Sequence, residues 1–254
     1  QFLFEQGWQV RVVNAFQVKR FGEVYLERDK SDAIDALTLA RYGAMLHPEA
    51  WKPIPSKYEA LGQRLVQREA LQKLRTQTLN RQKALRLCPI EVGAVAERWQ
   101  VLENLLKCQI RSVEREIAGV VKGDPEWQAT ARRITSIPGV GVTTAAWLIW
   151  LTQDFSTCRN AKELCAFVGV VPHVRQSGTS LRSHTPVGLV GQDEIRRHLY
   201  RVTVSCLRYN ARIRAFYERV KARRGRHKIA CVAATRKLLT IIFAVATGDM
   251  PYRD

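Results

Sequence analysis

The chain has 254 residues, 46% of them apolar and 25% charged, so it can fold into one large or two ordinary domains and is not a disordered protein. Lysine and arginine total 41 against 23 aspartate and glutamate, which gives a formal net charge of +18. An excess of that size predicts a polyanionic partner. We favour nucleic acid over a membrane, because we find neither a lipidation motif nor an apolar run long enough to span a bilayer.

The six cysteines are scattered through the chain without a C-x-x-C pair, which argues against a zinc site and a disulfide framework. Most of them lie in apolar helical patterns, so we expect buried free thiols. No signal peptide precedes them, and the expected setting is a reducing cytoplasm.

Residues 1–50 have the pattern of the end of an α/β unit. A helix closes at Gly7, residues 9–13 form a β-branched strand, and a further helix starts after Ser31, which caps it. The expected apolar side of that helix consists of Ala33, Ile34, Leu37 and Ala40. Because the chain opens at Gln1 in the middle of such a unit, we expect the true amino terminus to lie upstream.

Asp32 and Asp35 are three residues apart in this helix, so both carboxylates project from one face. Their mutual repulsion is relieved by a cation between them, and Mg²⁺ or Mn²⁺ is the natural candidate because hard ions prefer carboxylate oxygens. The alternative is that acids in a first helical turn interact favourably with the helix dipole. That alternative explains Asp32 better than Asp35.

A proline-rich break at residues 51–55 predicts a domain boundary. Two long helices follow, over residues 56–87 and about 90–121, and predict an antiparallel hairpin that stops at Gly123-Asp124-Pro125. Its basic residues form either a solvated face or a track for a phosphate backbone. Protruding hairpins of this kind also serve in dimerisation, and the sequence does not separate these uses.

Residues 126–254 predict a third, mainly helical unit. Residues 134–146 have the pattern of a helix-hairpin-helix turn, in which Gly139 and Gly141 let the backbone approach a phosphate at the start of the next helix. The alternative is a tight helix–helix connection that binds no ligand.

A basic and polar loop then presents Ser177 beside Gly178, after Pro172 has ended an apolar run. A hydroxyl on such a turn can attack a phosphate whose charge is offset by the neighbouring Arg175. The alternative is a surface turn in which the serine bonds its own backbone. His173 and His184 flank the serine in sequence, but we assign neither as its base.

Basic groups recur towards the end of the chain. A helix over residues 194–208 carries Arg196 and Arg197, and residues 221–228 form a dense basic turn. The last helix, from Ile229 to about residue 246, is apolar except for Arg236 and Lys237, which either snorkel to the surface or face a ligand.

Six segments, in this order, resemble the insertion sequence 110 family of transposases over nearly the whole chain. They are Lys30–Ala36, Ser136–Gly141, Phe167–Pro172, Gln176–Gly178, Ile195–Tyr200 and Arg236–Leu239.

The resemblance implies a mainly α fold with a partial α/β, RuvC-like (ribonuclease-H-type) unit at residues 1–50. A long antiparallel coiled-coil hairpin (51–125) and a helical transposase domain with the serine (126–254) would follow. In the family, four acids bind divalent metal ions and a serine forms a covalent phosphoserine link to DNA. Asp32 and Asp35 match the last two acids, and Ser177 matches the serine. The residues expected to contact nucleic acid are Lys30, Gly139, Gly141, Arg175, Arg182, Arg196, Arg197, Arg226, Lys228, Arg236 and Lys237.

The function that the resemblance implies is cutting and rejoining of DNA by an insertion-sequence recombinase, with Mg²⁺ or Mn²⁺ as cofactor. The expected partners are DNA, a structured bridge RNA of the kind that guides some members, and further copies of the chain in a dimer or tetramer. The expected location is the prokaryotic cytoplasm, at the nucleoid. The family's first two acids match no residue of this chain, so we expect the chain as it stands to bind nucleic acid and cut poorly. One alternative is a decayed transposase that binds without chemistry, and a weaker one is a nuclease that uses metal alone.

Overall fold

The computed structural model describes residues 2–25, 31–90, 92–171, 174–177, 181–184 and 193–253, the segments 174–177 and 181–184 by their backbone. Within these ranges the chain forms eleven helices and one antiparallel pair of strands, so the prediction of a mainly α fold is confirmed. The helices are α1 Phe2–Glu5, α2 Ala15–Val24, α3 Asp32–Leu46, α4 Ser56–Leu85, α5 Gly93–Gly123, α6 Pro125–Thr135, α7 Val142–Thr152, α8 Ala161–Val168, α9 Asp193–Tyr209, α10 Ala211–Arg224 and α11 His227–Thr247. The strands are β1 Val174–Ser177 and β2 Leu181–His184.

The chain divides into two compact units, residues 1–55 and 56–254, and the hairpin α4–α5 belongs to the same unit as the helices that follow it. In the first unit, the predicted strand at residues 9–13 is wrong. Val10 accepts a backbone hydrogen bond from Trp51, but no strand in residues 2–25 and 31–55 pairs with this segment. Since a strand exists only through its pairing, β-branched composition alone did not produce one.

The helix predicted after Ser31 is confirmed as α3, but its predicted apolar side is wrong for Ala33, Leu37 and Ala40, which are exposed, while Ile34 is partly buried. Thr38 and Tyr42 are its buried residues, and Tyr42 packs edge-on against Phe21 of α2 at 5.4 Å between ring centroids. Leu37, at 48% exposure, faces outwards. Leucine and alanine occur on several sides of this helix, so their spacing alone did not identify the side that α2 covers.

The second unit begins with the predicted helical hairpin. Ion pairs join Arg68 to Glu114 at 2.7 Å and Arg75 to Glu103 at 2.9 Å. Residue numbers therefore rise along α4 as they fall along α5, and the two helices are antiparallel. That the hairpin is a coiled coil stays a prediction.

The core of the second unit is built around α7 and α11. α7 is apolar on all sides, with eight of its eleven residues buried, and it packs against α4, α5, α6 and α9. α11 packs against α6, α8, α9 and α10. Asp124 fixes the start of α6 by accepting hydrogen bonds from the backbone of Glu126 and Trp127, and it also bonds Lys57 at the start of α4.

The helix α11 corrects one sequence-based statement, because its 21 residues and the mean hydropathy of 1.9 of its most apolar 18-residue stretch make it long and apolar enough to cross a bilayer. Half of its most apolar stretch is buried inside the unit, where Ala234, Leu238 and Ile242 are fully covered. A core helix of a folded unit accounts for this burial.

The prediction of buried free thiols holds for four of the six cysteines. All six are free thiols, but Cys88 and Cys108 are exposed.

A close approach between α4 and α7 depends on Gly62. A Cβ at this position would lie 2.6 Å from Cε2 of Trp150. We expect Gly62→Ala to lower the free energy of unfolding by about 1–3 kcal/mol, because the overlap with the indole outweighs the better helix propensity of alanine. Denaturant unfolding followed by circular dichroism measures this change.

The matched control is Gly119→Ala in α5, where a Cβ meets nothing within 4 Å. This substitution should raise the free energy of unfolding by about 0.4–1 kcal/mol. Equal effects of the two substitutions would contradict the packing that we describe for Gly62.

Candidate serine site and nucleic-acid interface

Ser177 lies on a two-stranded ribbon. β1 pairs antiparallel with β2, and Ser177 is opposite Leu181 at the last paired position. The prediction that Ser177 lies on a loop is therefore wrong, because the backbone of residues 174–177 pairs with β2. Arg175 and Arg182 also lie on the ribbon, opposite Ser183 and Gln176 respectively. The serine thus stands where regular backbone pairing ends.

Several predicted contributors fall outside the described residues. They are Lys30, Pro172, His173 and Gly178.

Asp32 and Asp35 occupy the first turn of α3, and both are exposed. Ser31 caps the helix, since its hydroxyl accepts a hydrogen bond from the backbone N–H of Ile34 at 3.3 Å. Over the described ranges, no group of three or more histidine, cysteine, aspartate or glutamate residues is arranged to hold a metal ion. The two aspartates fit part of a Mg²⁺ site, because this ion commonly takes one or two carboxylates and completes its shell with water or phosphate oxygens.

The turn between α6 and α7 contains Gly139, whose φ of +91° favours glycine. A Cβ on Gly139 would lie 2.9 Å from the Cα of Cys206, so close packing against α9 accounts for this glycine without a ligand. Gly141, by contrast, is exposed and immediately precedes α7, and a Cβ there would meet nothing within 4 Å. The space beside Gly141 is therefore open, and phosphate contact at this residue stays a prediction.

His198 is a residue of α9 that joins this helix to the start of α7 inside the protein. Its Nε2 is 3.0 Å from the Oγ1 of Thr144 in the first turn of α7, and its ring lies beside Trp147. Burial lowers the pKa of His198 to about 3, helped by the nearby cations Arg68 and Arg201. The imidazole is therefore neutral at physiological pH and holds α9 against α7 as a structural group.

The amino-terminal half of α9 carries a series of arginines paired with acids. Arg196 bonds Asp193 at 2.9 Å, and Arg197 lies near Asp193 and Glu194 at 3.5 and 3.7 Å. One turn later Arg201 pairs with Glu69 of the hairpin. The three arginines line one pocket together with Glu69 of α4.

Arg226 and Lys228 are exposed on either side of His227, where α11 begins. The imidazole of His227 accepts or donates hydrogen bonds to the hydroxyl of Tyr217 at 2.6 Å and of Tyr200 at 3.5 Å. This contact brings the predicted basic turn close to α9.

Further along α11, Arg236 is exposed and Lys237 is partly buried. The backbone carbonyl of Arg236 lies 3.9 Å from the thiol of Cys165 in α8. The structure thus presents Arg236 to solvent, as the snorkelling alternative and the ligand alternative both require.

Two other side chains near this region are poor nucleophiles. Burial raises the pKa of the Tyr200 hydroxyl and of the Cys231 thiol, so both stay protonated at neutral pH.

Among the predicted contacts, the structure brings together the Gly139 turn and α9 with Arg196 and Arg197. Sequence reasoning missed the inward role of His198. Its position one helical turn after Ile195, on the apolar side of α9, is the signal that could have revealed it.

Comparison with known proteins supplies the class. Residues 1–86 match a model of DEDD transposases, and residues 131–218 match the model described as "Transposase IS116/IS110/IS902 family". The chain is 31% identical to the pilin gene-inverting protein of Moraxella lacunata over 248 residues, which cover 96% of this chain and 74% of that protein. These matches define a DNA transposase.

Two further relatives agree with this class. An IS110 protein of Streptomyces coelicolor is 30% identical over 58% of this chain and 35% of its own length. The transposase for insertion sequence element IS1111A of Coxiella burnetii is 27% identical over 85% of this chain and 52% of its own length. The chain belongs to the IS110 family of transposases.

The neutral state of His198 predicts a pH dependence of stability. Its pKa falls from about 6.5 in the unfolded chain to about 3 in the fold, so the unfolded state binds more protons between these values. The stability contributed by the neutral ring is complete above pH 6.5 and is lost as the pH falls towards 3. At pH 5 the free energy of unfolding should therefore be about 2 kcal/mol lower than at pH 7.5.

His198→Gln should remove this dependence while keeping a polar partner for Thr144. Urea unfolding of both proteins at pH 7.5 and pH 5 measures the difference. If the variant and the unchanged protein lose the same stability over this interval, His198 is not buried as a neutral group.

Proposed function

We propose that the chain is the DNA-cutting recombinase of an insertion sequence and that Ser177 is its nucleophile. The observation that carries the proposal is the position of Ser177 at the end of the paired ribbon β1–β2, between an apolar helix and the arginine-bearing helix α9. A serine at such an end is held by regular backbone pairing on one side only. It can therefore be presented to a phosphate.

The proposed chemistry is a pair of transesterifications. The Oγ of Ser177 loses its proton to a base and attacks a DNA phosphorus, while one bridging P–O bond breaks and the deoxyribose oxygen leaves with a proton. The product is a phosphoserine ester. A hydroxyl group of a second DNA end then attacks the same phosphorus and releases the serine, so the phosphodiester is restored without an external energy source.

Asp32 and Asp35 are the residues that we propose to hold a divalent metal ion. Both are exposed carboxylates in one turn of α3, and hard cations prefer such oxygens. When bound, Mg²⁺ or Mn²⁺ supplies positive charge that polarises the phosphate and eases deprotonation of the serine. Asp32 and Asp35 belong to the first compact unit, and Ser177 belongs to the second.

The partners that we propose are DNA, a structured bridge RNA and further copies of the chain in a dimer or tetramer. The charge of +18 supports binding to nucleic acid, and the antiparallel hairpin supports self-association. The nucleic-acid contacts are proposed for the basic residues of α9 and α11, for Arg175 and Arg182 on the ribbon, and for Gly141 and its neighbours at α7.

A second candidate function is binding to nucleic acid without chemistry. It is favoured by the absence of a third metal ligand beside Asp32 and Asp35 in the described part of the chain. The two candidates differ in whether a covalent protein–DNA species forms.

The test of the serine mechanism uses the protein from the complete reading frame, with supercoiled DNA carrying the element's ends, the element's noncoding RNA and Mg²⁺. We expect a protein–DNA adduct that survives on a denaturing gel, disappears in Ser177→Ala and is strongly reduced in Asp32→Asn. Ser183→Ala, on the partner strand, should retain the adduct. Nicked DNA without any adduct would assign the chemistry to the acids, and binding without nicking would support the second candidate.

Salt dependence tests the basic start of α11. Each phosphate contact contributes about −0.9 to the slope of log K against log salt concentration for duplex DNA. Arg226→Gln combined with Lys228→Gln should therefore make the slope shallower by about 2, as measured by fluorescence anisotropy at several salt concentrations.

The control pair is Arg159→Gln with Lys162→Gln, which removes two exposed cations at the start of α8. It should leave the slope unchanged. An equal change in both double variants would mean that the start of α11 is not a specific contact and that only the overall charge matters.

A further inference from the structure

A pocket of about 800 Å³ lies in the second unit, where α9 and α11 meet α4. Its volume is within the range of about 300–1,000 Å³ that is common for small-ligand sites. The apolar residues Val170 and Val232 and the aromatic ring of Tyr200 form its floor, whereas Val66 lies at its exposed edge. A plain anion would gain little from such a floor, so the pocket fits a ligand with a flat apolar part.

The rim of the same pocket is basic. Among the described residues, Lys73, Arg196, Arg197 and Arg201 line it together with the acids Glu69 and Glu194. The cations of this lining therefore outnumber its acids.

The acids on the rim do not prevent Arg197 from binding a ligand. The partners of Arg197 are 64% and 52% exposed, and ion pairs between such groups are worth only about 0–1 kcal/mol. A guanidinium also has five N–H donors, so it can hold a carboxylate and a phosphate at once.

An apolar and aromatic floor under a basic rim matches one nucleotide of a single strand. The base can pack against the floor beside Tyr200, while its phosphate meets the cations at the rim. A base in a regular duplex is stacked between its neighbours, so it would have to leave the stack to reach this floor.

The lining residues that flank the segment with Ser177 indicate which DNA strand supplies the nucleotide. Val170 lines the pocket just before β1, and Glu194 and Arg196 line it just after the chain returns to α9. The segment that carries Ser177 therefore leaves and rejoins the rest of the unit at this pocket. We propose that the pocket binds an unstacked nucleotide of the DNA strand that Ser177 cuts, an inference that rests on the proposed function.

The test measures binding of two fluorescent single-stranded DNA oligonucleotides with the same number of phosphates, one of thymidines and one of abasic spacers. All proteins carry Ser177→Ala, so binding is measured independently of any cutting. We expect the thymidine strand to bind about 5–150 times more tightly, because stacking on an aromatic side chain contributes that much for one base.

Three variants then locate the effect. Ala70→Trp fills the pocket from the exposed side of α4 without changing any charge and should reduce the preference for thymidines by at least fivefold. Its control is Ala84→Trp, an exposed position of the same helix outside the pocket, which should keep the preference. Lys73→Ala should weaken both strands equally and make the salt dependence shallower, because it removes a charge that contacts phosphate and leaves the apolar floor in place.

An unchanged preference in Ala70→Trp would overturn the proposal, since the bases would then be bound elsewhere. A uridine RNA strand that shows the preference while thymidine DNA does not would also overturn it, because the occupant would be RNA. Loss of the preference in Ala70→Trp but not in Ala84→Trp would support the pocket even if the separate adduct experiment shows no role for Ser177.

Discussion

The arrangement of the second unit depends on how closely α9 approaches the turn before α7. Gly139 permits that approach, because any Cβ would collide with the backbone of Cys206. The hydrogen bond between His198 and Thr144 then fixes the same two helices from within the core. The arginines of α9 project from this fixed backbone. The close packing at Gly139 and the hydrogen bond of neutral His198 therefore determine where along the unit they are placed.

A network of charges extends this arrangement to the hairpin. Glu69 pairs with Arg68 on its own helix and with Arg201 on α9, while Arg68 reaches Glu114 of α5. Arg68 and Glu69, which are neighbours in α4, thus link this helix to α5 and to α9 respectively. Replacing a buried ion pair by apolar groups is often neutral or stabilising, so this network is better understood as fixing the orientation of the helices than as a main source of stability.

The sequence predicted the features that are set by local preferences. The long helices of the hairpin, the cap at Ser31 and the stop at Asp124 depend on residues close together in the chain, and all three are confirmed. The hairpin β1–β2 was missed although its strands are close together in the chain, because residues 174–177 and 181–184 lack the alternation of apolar and polar residues that is typical of a strand. The reason for Gly139 was non-local, since the atom that requires glycine belongs to Cys206. The roles of Asp32, Asp35 and Ser177 came from family resemblance and stay proposals.

The most direct measurement of the central claim is to locate the covalent bond in the protein–DNA adduct. Trypsin cuts after Arg175 and Arg182, so the residual nucleotide should be carried by the peptide of residues 176–182. Fragmentation in a mass spectrometer should place it on Ser177. Attachment to Thr179 or Ser180, or to a peptide outside residues 176–182, would contradict the assignment of Ser177 as the nucleophile.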